Sequence, residues 1–264
     1  MKEKILLFIP GYNCEKQITR VLNQLSEPVI GIIDEVIVVN NQSSDNTEQA
    51  VITFAGNHPH IPLNLLRNNE NYGLGGSHKT AFQYAMSHNF DYIIVLHGDD
   101  QGSIEDLLPI LTSRKYTQHD CCLGARFIKG ARLEGYSEFR SFGNRVYNLL
   151  FSLCTGKRIY DLGSGLNMYS MKMLEDKFYF RFPDNLTFNY CMILASHYYR
   201  HNIMFFPISW REEDQVSNVK LFSQAFGVLK MLARYTFGRK TFIRSELRMT
   251  PHIDYTAETI YAHR

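Results

Sequence analysis

The chain has 264 residues, 45% of them apolar and 20% charged, with a net charge of +2. That balance suits a globular protein with one full core, and it excludes a disordered chain and any electrostatic footprint for a nucleic-acid partner. No apolar run reaches the roughly 18 residues that span a bilayer, and the five cysteines lack the paired spacing of a zinc site or disulfide framework.

In chain order, Ile5-Leu6-Leu7-Phe8-Ile9 is a buried-strand run stopped by Pro10-Gly11-Tyr12-Asn13. Apolar spacing predicts a helix over 15–25 through Ile18, Val21, Leu22 and Leu25. The strand Glu35-Val36-Ile37-Val38-Val39 ends in a polar turn from Asn40 to Thr47, which caps a helix over 47–54. Residues 63–66 form a short strand, 69–77 a glycine-rich loop and 78–87 a helix. Strand, turn and helix alternate three times before the next strand, which predicts a doubly wound sheet with a ligand crevice at the strand ends.

That next strand, Tyr92 to Leu96, delivers His97-Gly98-Asp99-Asp100-Gln101-Gly102. Adjacent carboxylates and an amide at a carboxyl-terminal strand end suit a hard divalent cation with oxygen ligands. A strand followed by a helix cap explains the same residues. The loop Asn71-Tyr72-Gly73-Leu74-Gly75-Gly76 brings backbone close to a phosphate or ribose, or else marks a tight turn.

Together these segments resemble family-two glycosyltransferases. The resemblance rests on Pro10-Gly11-Tyr12-Asn13, Asn40-Asn41-Gln42-Ser43-Ser44-Asp45, Asn71-Tyr72-Gly73-Leu74-Gly75 and Gly98-Asp99-Asp100-Gln101, and it covers residues 4–220. It implies an α/β GT-A fold: a mostly parallel, doubly wound sheet flanked by helices, here with a C-terminal helical extension. It implies a nucleotide-sugar donor held by Pro10, Tyr12, Asn13, Asn40, Asn41, Gly73, Gly75, Gly98 and Arg211. A divalent metal, Mg2+ or Mn2+, would sit on Asp99 with Gln101. Two departures stand out: Asn40-Asn41 replaces the family's paired aspartates, and His97 opens the family's Asp-x-Asp motif. Histidine suits magnesium poorly.

The second half is similar to the polyprenyl-phosphate mannose and glucose synthase branch. Gly124-Ala125-Arg126, then Arg140 with Asn144 and Asn148, then Asp161-Leu162-Gly163-Ser164-Gly165 carry the likeness. In that branch two arginines hold the acceptor phosphate, which Arg126 and Arg140 would match; guanidinium binds phosphate bidentately and stays charged. Asn144 and Leu166-Asn167 depart from the branch pattern. A phosphate acceptor is already ionised, whereas a hydroxyl acceptor needs a base, for which Asp161 is the candidate. The late strand at 202–210 leads to a 211–220 segment resembling the family's closing loop, or a plain connection.

Residues 1–220 read as the catalytic domain and 221–264 as a basic amphipathic extension. From 220 to 248 there are seven basic side chains and one acid, interleaved with aromatics. Such a segment docks on an anionic membrane, packs on the sheet, or pairs subunits in a homo-oligomer. The last stretch, 250–264, is weakly patterned and is expected to be ordered only in part, by a partner. The expectation is an inverting hexosyltransferase of cell-surface polysaccharide synthesis, acting on a polyprenyl phosphate or a glycan. With no signal-peptide pattern at Met1-Lys2-Glu3-Lys4, it is placed in the cytoplasm, at the inner face of the cell membrane. The alternatives are a non-catalytic nucleotide-sugar-binding subunit and a nucleotidyltransferase.

Overall fold

The computed structural model describes residues 2–212 and 221–263. The chain runs β1 (Ile5–Gly11), α1 (Glu15–Leu22), α2 (Glu27–Ile30), β2 (Glu35–Asn40), α3 (Thr47–Asn57), β3 (Leu63–Asn68), α4 (Gly73–Ser87), β4 (Tyr92–Leu96) and α5 (Leu108–Thr112). It continues with β5 (Cys121–Ala125), β6 (Arg132–Glu134), α6 (Glu138–Thr155), β7 (Leu166–Ser170), α7 (Met171–Leu174), α8 (Phe188–Tyr198), β8 (Ile203–Pro207) and β9 (Ser209–Arg211). The last elements are α9 (Leu221–Phe237), α10 (Arg239–Arg244) and β10 (Ala257–Tyr261).

Eight strands form one sheet in the order β10-β3-β2-β1-β4-β7-β5-β8. The β3-β2-β1-β4 block is parallel, so its strands all deliver their following turns to one edge. Alternation along β1 explains the two-sided core: Leu6 and Phe8 enter one apolar cluster, Ile5, Leu7 and Ile9 the other. Beyond β4 the sheet changes character, because β7 inserts antiparallel between β4 and β5. A small parallel pair, β6 with β9, stands beside this junction, and Gly102 bridges to Trp210 there.

Two expectations change. Helix α4 begins at Gly73, inside the stretch expected as a glycine-rich loop. Gly75 and Gly76 cost helix propensity, but a side chain at either would strike Pro183 or Tyr72, so close packing overrides propensity. The boundary at 220/221 does not separate two packing units either. Helices α9 and α10 spend Val228, Leu232, Tyr235, Phe242 and Ile243 on the main core, and β10 pairs antiparallel with β3 at the sheet edge. The weakly patterned end is thus ordered within its own chain. Of the expected closing loop, Arg211 and Glu212 alone lie among the described residues. No described helix is long and apolar enough to cross a membrane.

Candidate active site

A cavity of about 450 Å³ opens at the carboxyl ends of β1, β2 and β4. Its walls include Pro10, Tyr12, Asn41, Gly73, Gly98 and Asp99, so six of the expected donor and metal residues meet there. Gly11, Cys14, Asn71 and His97 from the strand ends and turns, and Leu74 and Ser77 from α4, also line it. Gly98 lets β1 and β4 close on each other: its amide donates to the Pro10 carbonyl at 3.1 Å, and a Cβ would sit 2.8 Å from that oxygen.

Three asparagines, one after β2 and two at the end of β3 and in the turn that follows it, tie the cavity wall together. The Asn41 Oδ1 accepts from the Tyr72 amide and from Asn68 Nδ2, both at 2.9 Å, and its Nδ2 donates to Asn71 Oδ1 at 2.7 Å. Neutral amides can donate and accept at once, so the wall needs no counter-charge. Its neighbour Asn40 turns away from the cavity: Nδ2 donates to Glu48, and Oδ1 caps the Ser43 amide at 3.0 Å. Asn13 likewise serves the turn, its Oδ1 accepting from the Ser44 amide at 2.8 Å. Gly75 sits one turn into α4, donating to the Asp184 carbonyl at 2.7 Å.

The adjacent carboxylates divide. Asp100, in the left-handed region at φ 60° and fully buried, accepts from Arg20 Nε at 2.7 Å and Gln24 Nε2 at 3.0 Å, and pairs with Arg211. Arg211 is therefore held on Asp100, outside the cavity lining. Asp99 stays on the cavity wall, and burial pushes its carboxyl up to about 6. Beside it, burial and then the Arg126 charge pull His97 down to about 4, and its Nε2 is buried with no hydrogen-bond partner. Among the described residues no three His, Cys, Asp or Glu side chains converge on one point. A carboxylate oxygen from Asp99 and an imidazole nitrogen from His97 on one wall would suit a transition-metal dication such as Mn2+ better than Mg2+. Gln101 lies outside the lining; its amide donates to Asp99 Oδ1 at 3.2 Å, and its side chain faces Glu212.

On the other side of β4 the charges are internally paired. Arg126 clasps Asp161 through Nε–Oδ2 and Nη2–Oδ1 bonds, both 2.8 Å, while its amide donates to Oδ2. Its guanidinium lies 4.6 Å from the Trp210 ring centre. Burial alone would raise the Asp161 carboxyl, but the Arg126 charge and bonds hold it below its usual range. A carboxylate so clasped is a poor general base, which corrects the expected role of Asp161. Arg140 donates to both oxygens of Glu212, at 2.7 and 2.6 Å, and remains about one-third exposed. Both arginines pack on Tyr136, at 5.6 and 4.9 Å from its ring centre. The expected pair is thus brought together around one ring.

The far wall of the cavity, Asn185 and Leu186, comes from the segment before α8, which the sequence did not flag. It is anchored by Lys79, fully buried in α4, whose Nζ donates to the Phe182 carbonyl and Asp184 Oδ1, both at 2.6 Å.

Residues 7–178 match the sequence profile of Glycosyl transferase family 2. Over 175 residues the chain is 27% identical to an undecaprenyl-phosphate 4-deoxy-4-formamido-L-arabinose transferase of Yersinia enterocolitica, covering 66% of this chain and 50% of that protein. It is 24% identical to a UDP-N-acetylglucosamine–dolichyl-phosphate N-acetylglucosaminyltransferase of Methanococcus voltae, covering 66% of this chain and 73% of that one. The fold resembles glucosyl-3-phosphoglycerate synthase of Mycobacterium tuberculosis, solved with Mn2+, uridine diphosphate and glucosyl-3-phosphoglycerate. There the TM-score is 0.59 at 13% identity, over 97% of this chain and 87% of that one. The chain thus spans half the length of the Yersinia protein. With the profile covering most of the chain and a GT-A architecture beneath it, this protein belongs to glycosyl transferase family 2.

Proposed function

We propose that the protein transfers a hexose from a nucleoside diphosphate sugar to a polyprenyl phosphate, with inversion at the anomeric carbon. The observation that carries this reading is the shared cavity: Asp99 and His97 line the same space as Pro10, Tyr12 and Asn41. A cation held on Asp99 would then stand beside a nucleoside held by Pro10, Tyr12 and Asn41. The relatives' names, both of polyprenyl-phosphate acceptors, support the acceptor class.

Pro10, Tyr12 and Asn41 would hold the nucleoside, and Asp99 with His97 would hold Mn2+, which accepts imidazole more readily than Mg2+ does. When bound, the cation supplies charge neutralisation at the departing diphosphate. Arg140 would exchange Glu212 for the acceptor phosphate, while Arg126, locked on Asp161, keeps the surrounding wall in place. A phosphate oxygen then attacks the anomeric carbon from the face opposite the diphosphate; the new C–O bond forms as the bond to the diphosphate breaks. The clasped state of Asp161 favours this acceptor over a hydroxyl, because an ionised phosphate needs no base.

The test is a melting-temperature panel of nucleoside diphosphates with and without Mn2+, followed by release of the nucleotide from its sugar on adding undecaprenyl phosphate. At saturating ligand, one nucleotide with Mn2+ raises the melting temperature by about 5–10 °C. Turnover then requires the lipid phosphate. No shift with any nucleotide refutes the donor site; binding without turnover favours a non-catalytic nucleotide-sugar-binding subunit.

A further inference from the structure

Helix α6 has two apolar faces, and one of them is left uncovered among the described residues. Asn148 and Phe151 are buried, with Tyr147, Leu150 and Cys154 packed against the core. On the opposite side Phe139, Phe142, Val146, Leu149 and Leu153 are 74, 68, 39, 59 and 70% exposed. Spacings that alternate three and four residues put these five side chains in one stripe along the helix. Single exposed apolar residues need no explanation, but a continuous stripe of this kind marks an interaction surface.

The charge around the stripe says what it meets. From Phe139 to Tyr160 the sequence holds four basic residues and no acid. Three of them, Arg145, Lys157 and Arg158, are exposed and stand along the helix or just past its end. The junction between α9 and α10 extends this surface. Arg239 Nη2 donates to the Cys154 carbonyl at 2.6 Å, which fixes the junction against the last turn of α6. Phe237, 91% exposed, and Lys240 stand there as well.

We propose that this face, the outer stripe of α6 with the α9–α10 junction, docks the protein on an anionic lipid bilayer. A helix with an apolar stripe and a basic rim lies in the plane of a membrane interface, burying its stripe at the boundary between headgroups and acyl chains. The rim complements anionic headgroups, whereas two copies of this face would set like-charged rims near each other. The assignment moves membrane contact from the tail as a whole, which spends Val228, Leu232, Tyr235, Phe242 and Ile243 in the core, to α6 with the α9–α10 junction. It stands independently of the acceptor reading. Where that reading holds, Arg140 follows Phe139 directly, so docking sets the acceptor side of the crevice at headgroup level.

The test is co-sedimentation of the full chain with vesicles of phosphatidylcholine alone or mixed with phosphatidylglycerol. The wild type pellets with the mixed vesicles at low salt and is released as salt screens the rim. Leu149→Ser with Leu153→Ser lowers the partition coefficient at least about tenfold. Lys157→Glu with Arg158→Glu lowers it by at least about fivefold per site. Both pairs are exposed, so melting temperatures stay near wild type; should the serine pair unfold, the charge pair decides. Failure of the wild type to pellet at low salt overturns the proposal, as do folded variants that pellet like the wild type. A wild-type dimer by light scattering, split by Leu149→Ser and indifferent to vesicles, would make this face a subunit interface instead.

Discussion

On the cavity side of β4, proposed to take the donor, Asn41, Asn68 and Asn71 brace one another with neutral amides and leave Asp99 on the cavity wall. On the other side, Arg126 is clasped by Asp161 and Arg140 by Glu212. The side proposed for the donor is therefore braced without ion pairs among these residues, while the side proposed for the acceptor is a set of ion pairs that a bound phosphate would have to open. The two pairs are not equally easy to open. Arg126 and Asp161 are both nearly fully buried, so exposing either charge is expensive, whereas Arg140 keeps one-third of its surface in water and can change partners.

Cutting one partner from each pair should break this comparison most visibly. Arg126→Met strands a buried carboxylate and should cost about 3–5 kcal/mol in urea unfolding. Arg140→Met should cost about 1 kcal/mol or less, yet raise the acceptor KM at least tenfold, a charge-assisted contact being worth about 1.5–3 kcal/mol. Equal destabilisation by the two would erase the distinction between a scaffold arginine and an exchanging one. Asp161 also sets a pH signature. Its carboxyl is held below the unfolded value of about 3.9, so the pair's stability is full above that pH and drains away as pH falls below about 4. Arg126→Met should lose that acid limb.

The next effect belongs to the donor side. Asp99→Asn should lower turnover by about a thousandfold, the several kcal/mol that charge neutralisation at a leaving group supplies. The fold should not suffer. Burial raises the Asp99 carboxyl to about 6, so its charge costs stability at neutral pH, and an amide removes that cost. Near-normal turnover, or a sharply lower melting temperature without cation, would contradict this assignment.

The difference between the two sides also explains what the sequence could reveal. Pro10, Asn41 and Asp99 each lie at or just past the end of an apolar run in a strand–helix alternation that implies parallel strands, and parallel neighbours bring their carboxyl ends to one edge. The cavity was therefore legible as soon as the strands were. Asn40 was not separable from Asn41, because which of two adjacent amides faces the crevice depends on where β2 ends. Beyond β4 the reading weakened for a topological reason: β7 enters antiparallel between β4 and β5, and nothing in Leu166-Asn167-Met168-Tyr169 announces its direction. The residue types of Arg126 and Asp161 were noticed, but their bond to each other is a contact across 35 positions that no local pattern encodes. Lys79, inside a helix, gave no signal that it would be buried.

Backbone crowding sharpens the same contrast on a smaller scale. A methyl on Gly75 would lie 2.4 Å from the Pro183 carbonyl oxygen and 2.8 Å from Phe188 Cβ, and backbone cannot yield cheaply. Gly75→Ala should cost about 1–3 kcal/mol and weaken donor binding, because it pushes on the segment that carries Asn185 and Leu186. Gly143, within α6, has nothing within 4 Å of the same position. Gly143→Ala should instead stabilise by about 0.5–1 kcal/mol through helix propensity. The two alanines should therefore move the melting temperature in opposite directions; a matching sign would mean that the wall before α8 gives way as freely as the outer helix.

The smallest effect tests whether the cavity side rests on a permanent charge pair of its own. Lys79 lies beneath the cavity wall, donating to Asp184 and, at 3.2 Å, to the Tyr255 hydroxyl of the C-terminal segment. Burial pulls its ammonium down to about 8, against the opposing pull of Asp184. An unfolded lysine titrates near 10.4, so between the two values the unfolded chain holds more protons than the native one. Stability contributed by this group therefore rises with pH in that window, by roughly 1 kcal/mol from pH 8 to pH 9. Lys79→Met should flatten the rise, read as the change in urea unfolding free energy between those two pH values in variant and wild type. If both rise in parallel, Lys79 keeps its proton throughout. The wall carrying Asn185 and Leu186 would then hang on a permanent charge pair, as the acceptor side does, and the contrast between the two sides would narrow to Asp99 alone.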